Sequence, residues 1–197
     1  MKEQRKTALA DRLVLPKSLV IIGMPGSGKT TIGRTLAVWL GLPFVDSDHE
    51  IEVAANMTVP QIFERHGEAH FRQGERKVIA RLLNDSKQVL STGGGAFMDE
   101  QTRRLIKTEA LSLWLKADIE VLFKRTAPHA ASRPLFKGKD VREVLSALKE
   151  AREPVYAQAD LTVMTDDSPV SETVERVLAS LKKYVAENFG AQPRPNP

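Results

Sequence analysis

Residues 18–31 read SLVIIGMPGSGKTT. The run Ser18–Ile22 is short, apolar and β-branched, the pattern of a strand buried on both faces. Gly23-Met24-Pro25-Gly26-Ser27-Gly28-Lys29-Thr30 matches G-x-x-x-x-G-K-[ST] in full. From Gly28 to Leu40 the apolar residues recur at helical spacing, and Gly41 follows as a stop. Strand, glycine loop and helix form a unit that cradles phosphate. Backbone N–H groups curl round the anion, and the helix N-terminus adds its positive dipole end. Gly26, Ser27, Gly28 and Thr31 shape the nucleotide side, Lys29 neutralises β- and γ-phosphates, and the Thr30 hydroxyl ligates Mg²⁺. Motors, switches and kinases share this loop, so alone it implies nucleotide phosphate binding and not a reaction.

Outward from the loop, strand and helix patterns alternate. Further strands are expected at Pro43–Asp46, Gln88–Thr92, Ala110–Lys116 and Asp160–Met164. Helices are expected at Asp48–Ala55, within Thr58–Asn84 with Gly67 a candidate break, at Asp99–Thr108 with Asp99 as N-cap, and at Asp118–Thr126, Asp140–Ala157 and Pro169–Glu187. Five strands separated by helices imply an α/β fold: a five-stranded parallel sheet with helices on both faces, the three-layer P-loop NTPase architecture. Trp39 and Trp114 fall on apolar positions and are expected in the core. One domain is expected over residues 17–188. Residues 1–16 read as an arm stopped by Pro16, and 189–197 as a disordered Pro/Gly-rich tail. The irregular basic segment 128–139 has the length and composition of a closing lid.

The chain has 197 residues, a net charge of +4 and no cysteine. That composition excludes disulfides, thiolate metal sites and a Cys nucleophile. No apolar run reaches the roughly 18 residues of a membrane helix. The charged N-terminus MKEQRKTALADRLVLP has no apolar core of a secretory signal. A cytoplasmic monomer that contacts neither membrane nor nucleic acid is expected. Its basic residues are interspersed with acids, and a mildly basic surface suits a site that collects phosphates and carboxylates.

In parallel sheets ligands bind at the carboxyl ends of the strands. Asp46-Ser47-Asp48 follows the second strand and Gly93-Gly94-Gly95 the third. One aspartate can hold Mg²⁺ while the other meets an acceptor hydroxyl. Helix capping by Asp48 is the competing reading.

These motifs resemble shikimate kinases over about Ser18 to Val185. The resemblance rests on G-x-x-G-x-G-K-T-T at Gly23–Thr31, D-x-D-x-x-I-E at Asp46–Glu52, F-R-x-x-E at Phe71–Glu75 and the triple glycine. R-P-L at Arg133–Leu135 and R-x-P-x-Y at Arg152–Tyr156 complete it. It implies a kinase, akin in architecture to nucleoside monophosphate kinases, that moves the γ-phosphoryl of MgATP to the 3-hydroxyl of shikimate, a step of aromatic amino-acid biosynthesis. By resemblance Asp48 meets that hydroxyl, Arg72 and Arg152 grip the carboxylate, and Gly93, Gly94 and Gly95 border the substrate. Thr30 and Asp46 serve Mg²⁺, Lys29 and Arg133 (in the lid) act on the phosphates, and Arg125 flanks adenine.

Guanidinium pairs bidentately with carboxylate, which suits a clamp on a rigid carboxylated ring. Without the resemblance, Arg72 and Glu75 read as a surface i, i+3 pair. Asp166 and Asp167 stand where the family commonly has a basic residue near adenine, so no adenine contact is expected from their side chains. His66 and His70, four apart, are expected to serve a surface or packing role and not a metal.

Overall fold

The computed structural model describes residues 13–190. Of the two peripheral segments read from the sequence, residues 1–12 and 191–197 lie outside the described residues.

The chain runs β1 (Ser18–Gly23), α1 (Lys29–Leu40), β2 (Phe44–Asp46), α2 (Ser47–Ala55), α3 (Val59–Asn84), β3 (Val89–Ser91) and α4 (Glu100–Glu109). It continues β4 (Ala110–Ala117), α5 (Ile119–Thr126), α6 (Val141–Tyr156), β5 (Leu161–Thr165) and α7 (Val170–Phe189). Short 3-10 turns follow the triple glycine (Ala96–Met98) and fill the lid segment (Ala127–Ser132 and Pro134–Phe136). The five strands form one parallel sheet in the order β2-β3-β1-β4-β5. Because β1 is central, the phosphate loop leaves the middle of the sheet, with β3 on one side and β4 on the other.

Side chains alternate across a strand, so β1 feeds two cores. Val20 and Ile22 join Leu90, Trp114, Phe97, Ile79 and Tyr156 on one face. Leu19 and Ile21 join Leu36, Val89, Leu113, Leu115 and Leu178 on the other, where α1 and α7 pack. Trp114 is buried as expected, while Trp39 is half-buried against the second core. Leu13 and Leu15, read with the polar arm, are buried in that second core too. β5 departs from burial on both faces: Leu161, Val163 and Thr165 are buried, whereas Met164 stays 44% exposed. As an edge strand it is covered on one face, by α7.

Local chemistry sets the helix ends. Gly41 adopts the left-handed conformation (φ 64) that closes α1. Thr58 and Gln61 form a reciprocal capping box at α3. Asp99 caps α4 by accepting from the Thr102 N–H at 2.9 Å. α3 is broken at Gly67 (φ 78, ψ 174), which re-aims its second half. That half carries Arg72 and Glu75 toward the sheet.

Candidate active site

A cavity of about 620 Å³ lies at the carboxyl ends of β1, β2 and β3. Gly28, Lys29 and Thr30 of the phosphate loop line it together with Asp46, Asp48, Gly93 and Gly94. At the phosphate end the loop needs positive φ at Gly26 (82°) and Gly28 (89°). α1 has no side-chain cap, so its first N–H groups are free for an anion. Thr31 lies exposed at this end, while Ser27 is wholly buried and shapes the loop through its backbone. Lys29 donates to the carbonyls of Gly23 and Met24, each at 3.0 Å. Desolvation lowers its pKa from 10.5 to about 8. Asp48 and Asp46 oppose that shift, and Arg133 and Arg152 add to it.

The two aspartates divide their tasks differently from the capping alternative. α2 begins at Ser47, and Asp46, not Asp48, is its cap: Asp46 Oδ1 accepts from the Asp48 N–H at 3.1 Å. Its other oxygen accepts from the Thr30 hydroxyl at 3.2 Å. Asp48 is thereby released from capping. Its Oδ1 is buried without a partner. Burial raises its pKa, repulsion from Asp46 adds to this, and Lys29 and Arg72 partly oppose it.

The triple glycine is a floor for three side chains. A methyl group on Gly93 would lie 2.8 Å from Asp48 Oδ1, and one on Gly94 would lie 2.7 Å from Arg152 Nη1. On Gly95 it would lie 2.5 Å from both terminal nitrogens of Arg72. Each distance is closer than a carbon side chain tolerates, so Asp48, Arg152 and Arg72 each rest on a bare backbone. The two guanidinium groups lie over adjacent glycines, Arg72 held by Glu68 at 3.2 Å and Glu75 at 2.7 Å, and guanidinium is suited to grip a carboxylate.

Two residues hold that floor and its arginines in place. Glu75, 1% exposed, is no surface residue: it accepts from Nη1 of the half-buried Arg72 at 2.7 Å. Its second oxygen is buried and unpartnered, and burial raises its pKa against the pull of Arg72. Tyr156, fully buried, donates its hydroxyl hydrogen to the Gly94 carbonyl; burial raises its pKa, and the nearby Arg152 guanidinium opposes that rise. Neither role was drawn from the sequence, although F-R-x-x-E and R-x-P-x-Y contain both residues. Ser47, also fully buried, accepts from the Gly93 N–H at 3.3 Å and joins the floor to α2.

Arg133, exposed between the two lid turns, faces the same cavity. Arg125 lies at the outer edge, donating to the Gly26 carbonyl at 3.4 Å and to the Asp166 carbonyl. Asp166 and Asp167 are engaged by neighbours: Arg176 meets Asp166 at 3.3 Å, and Lys124 meets Asp167 at 2.7 Å. The acidic pair thus braces Arg125 and α5. His66 and His70 are exposed, with ring centroids 4.8 Å apart. Among the described residues no group of three His, Cys, Asp or Glu side chains is placed to hold a metal by itself.

A family model described as shikimate kinase matches residues 25–182. A shikimate kinase of Bradyrhizobium diazoefficiens is 51% identical over 177 residues, covering 90% of this chain and 85% of that protein. One from Ruegeria pomeroyi is 52% identical, covering 89% of this chain and 90% of that protein. Among solved structures, a shikimate kinase from Acinetobacter baumannii in complex with shikimate aligns with a TM-score of 0.81 at 34% identity, covering 85% of this chain and 93% of that one.

Proposed function

The chain belongs to the shikimate kinase family, and from that premise we propose how its residues share the transfer of the γ-phosphoryl group of ATP to the 3-hydroxyl of shikimate. The protein is an ATP-dependent kinase whose products are 3-phosphoshikimate and ADP, on the route to chorismate and the aromatic amino acids. The observation that carries the division of labour is the triple-glycine floor. Asp48, Arg152 and Arg72 lie on consecutive glycines beside the cavity that the phosphate loop also lines.

Arg72 and Arg152 take the carboxylate of shikimate, and Gly93 to Gly95 let the ring approach backbone. Asp48, with an unpartnered oxygen and a raised pKa, accepts the hydrogen bond of the 3-hydroxyl and orients it toward the γ-phosphorus. Lys29 exchanges its two loop carbonyls for phosphate oxygens. Arg133 closes from the lid over the same oxygens, so that charge on the transferring group meets fixed cations. Arg125 lies against adenine.

The hard oxygen pair Thr30 Oγ1 and Asp46 Oδ2, 3.2 Å apart, fits Mg²⁺, which takes few protein oxygens and keeps several waters. When bound, Mg²⁺ neutralises the β- and γ-phosphate oxygens. We place residues 17–188 in one kinase domain, into whose core Leu13 and Leu15 of the preceding arm also pack, with a lid at about 128–139, acting as a cytoplasmic monomer on small molecules. No helix among the described residues is long and apolar enough to cross a membrane. ADP release measured with shikimate, gluconate and nucleoside monophosphates tests the assignment. Turnover is expected with shikimate alone, and faster turnover with another acceptor would overturn it.

A further inference from the structure

Glu52 ends the D-x-D-x-x-I-E motif, and none of the steps above uses it. It stands one turn beyond Asp48 on α2. Its Oε1 accepts from the main-chain N–H of Val59, the first residue of α3, at 2.9 Å. The neighbouring donors are served locally. Gln61 N–H donates to Thr58 Oγ1 at 3.4 Å, Thr58 N–H donates to Gln61 Oε1 at 2.9 Å, and Pro60 has none to offer. The Val59 N–H is therefore the one donor of that turn met from another helix. A carboxylate there also complements the positive end of the α3 dipole.

The same residue closes the corner from its backbone: the Glu52 carbonyl accepts from Met57 N–H at 3.2 Å, across Asn56 in the left-handed conformation (φ 50). Glu52, Val59 and Pro60 line the cavity together with Asp48 and Gly93. Beyond them the rings of Phe63 and Phe71, 4.7 Å apart, span the break at Gly67 and join the first half of α3 to the half bearing Arg72.

We propose that Glu52 is a positioning residue for the acceptor: its carboxylate clasps the start of α3 to α2 and so sets the spacing between Asp48 and Arg72. The inference rests on the acceptor-site reading above. It predicts that Glu52→Ala raises the KM for shikimate by about tenfold, the scale of a lost hydrogen bond to a charged group, and leaves the KM for ATP within about twofold. Glu52→Gln keeps an acceptor oxygen for Val59 and restores the shikimate KM.

Val59→Pro removes the donor instead. Proline is tolerated at the first helical position, and Thr58 already has the extended conformation (φ −69, ψ 154) that precedes proline. It should reproduce the Glu52→Ala shift, and the double variant should add nothing further. Steady-state kinetics of these variants with both substrates, alongside Arg72→Ala, is the test. An unchanged shikimate KM in both Glu52→Ala and Val59→Pro, while Arg72→Ala raises it, removes the clasp and leaves the acceptor site standing. An additive double variant, or a Gln variant as impaired as Ala, also removes the clasp. An unchanged KM in Arg72→Ala removes the acceptor-site reading itself.

Discussion

Gly95→Ala isolates the triple-glycine floor from every other property of the site. Gly95 sits at φ −94, ψ −17, a conformation open to alanine, so the backbone carries no penalty. The added carbon would stand 2.5 Å from both terminal nitrogens of Arg72 and 2.6 Å from its central carbon. An ordinary contact begins at 3.4 Å, so the guanidinium must withdraw by about 0.9 Å. A retreat on that scale stretches its 2.7 Å hydrogen bond to the buried Glu75 beyond good geometry.

The atoms displaced are the end of a flexible side chain, so the fold should hold and the melting temperature should change little. What is lost is one charge-assisted hydrogen bond and the alignment of half the carboxylate clamp. At about 1.5–3 kcal/mol this corresponds to roughly a ten- to hundredfold rise in the KM for shikimate. The KM for ATP should stay within about twofold, since the atoms nearest the added carbon all belong to Arg72 and none to the phosphate loop. Coupled measurement of ADP release with each substrate varied in turn decides it. An unchanged shikimate KM, or equal rises for both substrates, would refute the reasoning.

Asp48→Asn should keep ATP binding and lose at least about a hundredfold in turnover. It should also melt at a higher temperature at pH 7. The folded pKa of Asp48 lies above the unfolded value of 3.8, so the stability it lends is present below that value and is lost as pH rises through the folded pKa. The gain in melting temperature should shrink as pH falls toward 3.8, and a pH-independent difference would contradict the assigned shift. For Lys29, with a pKa of about 8 in the nucleotide-free chain, ATP affinity should weaken as pH rises above that value. Calorimetry above pH 8 in buffers of different ionisation enthalpy should report proton uptake on ATP binding, and its absence would sink this reading.

The phosphate loop, the alternation of elements and the positions of both aspartates were legible because each rests on local pattern: residue spacing, periodicity and strand ends. Glu75 was not. α3 carries charge around most of its circumference, and the break at Gly67 changes the phase of its second half, so spacing from Arg72 reads as a surface pair. The choice between Asp46 and Asp48 as cap turned on a single residue of helix start, finer than sequence periodicity resolves. The exposed face of β5 depends on its place at the sheet edge, which follows from strand order and not from its own composition. Tyr156 ends the R-x-P-x-Y motif, and its burial gives its hydroxyl no task that spacing could show. Only the fold brings its hydroxyl to the Gly94 carbonyl, 62 residues away.

A crystal structure with shikimate and MgADP tests the central assignment most directly. The carboxylate of shikimate should lie between the guanidinium groups of Arg72 and Arg152 over Gly94 and Gly95. Its 3-hydroxyl should lie within about 3.2 Å of an Asp48 oxygen. A carboxylate held instead by Arg125 or Arg133, with Asp48 facing no hydroxyl, would contradict the account.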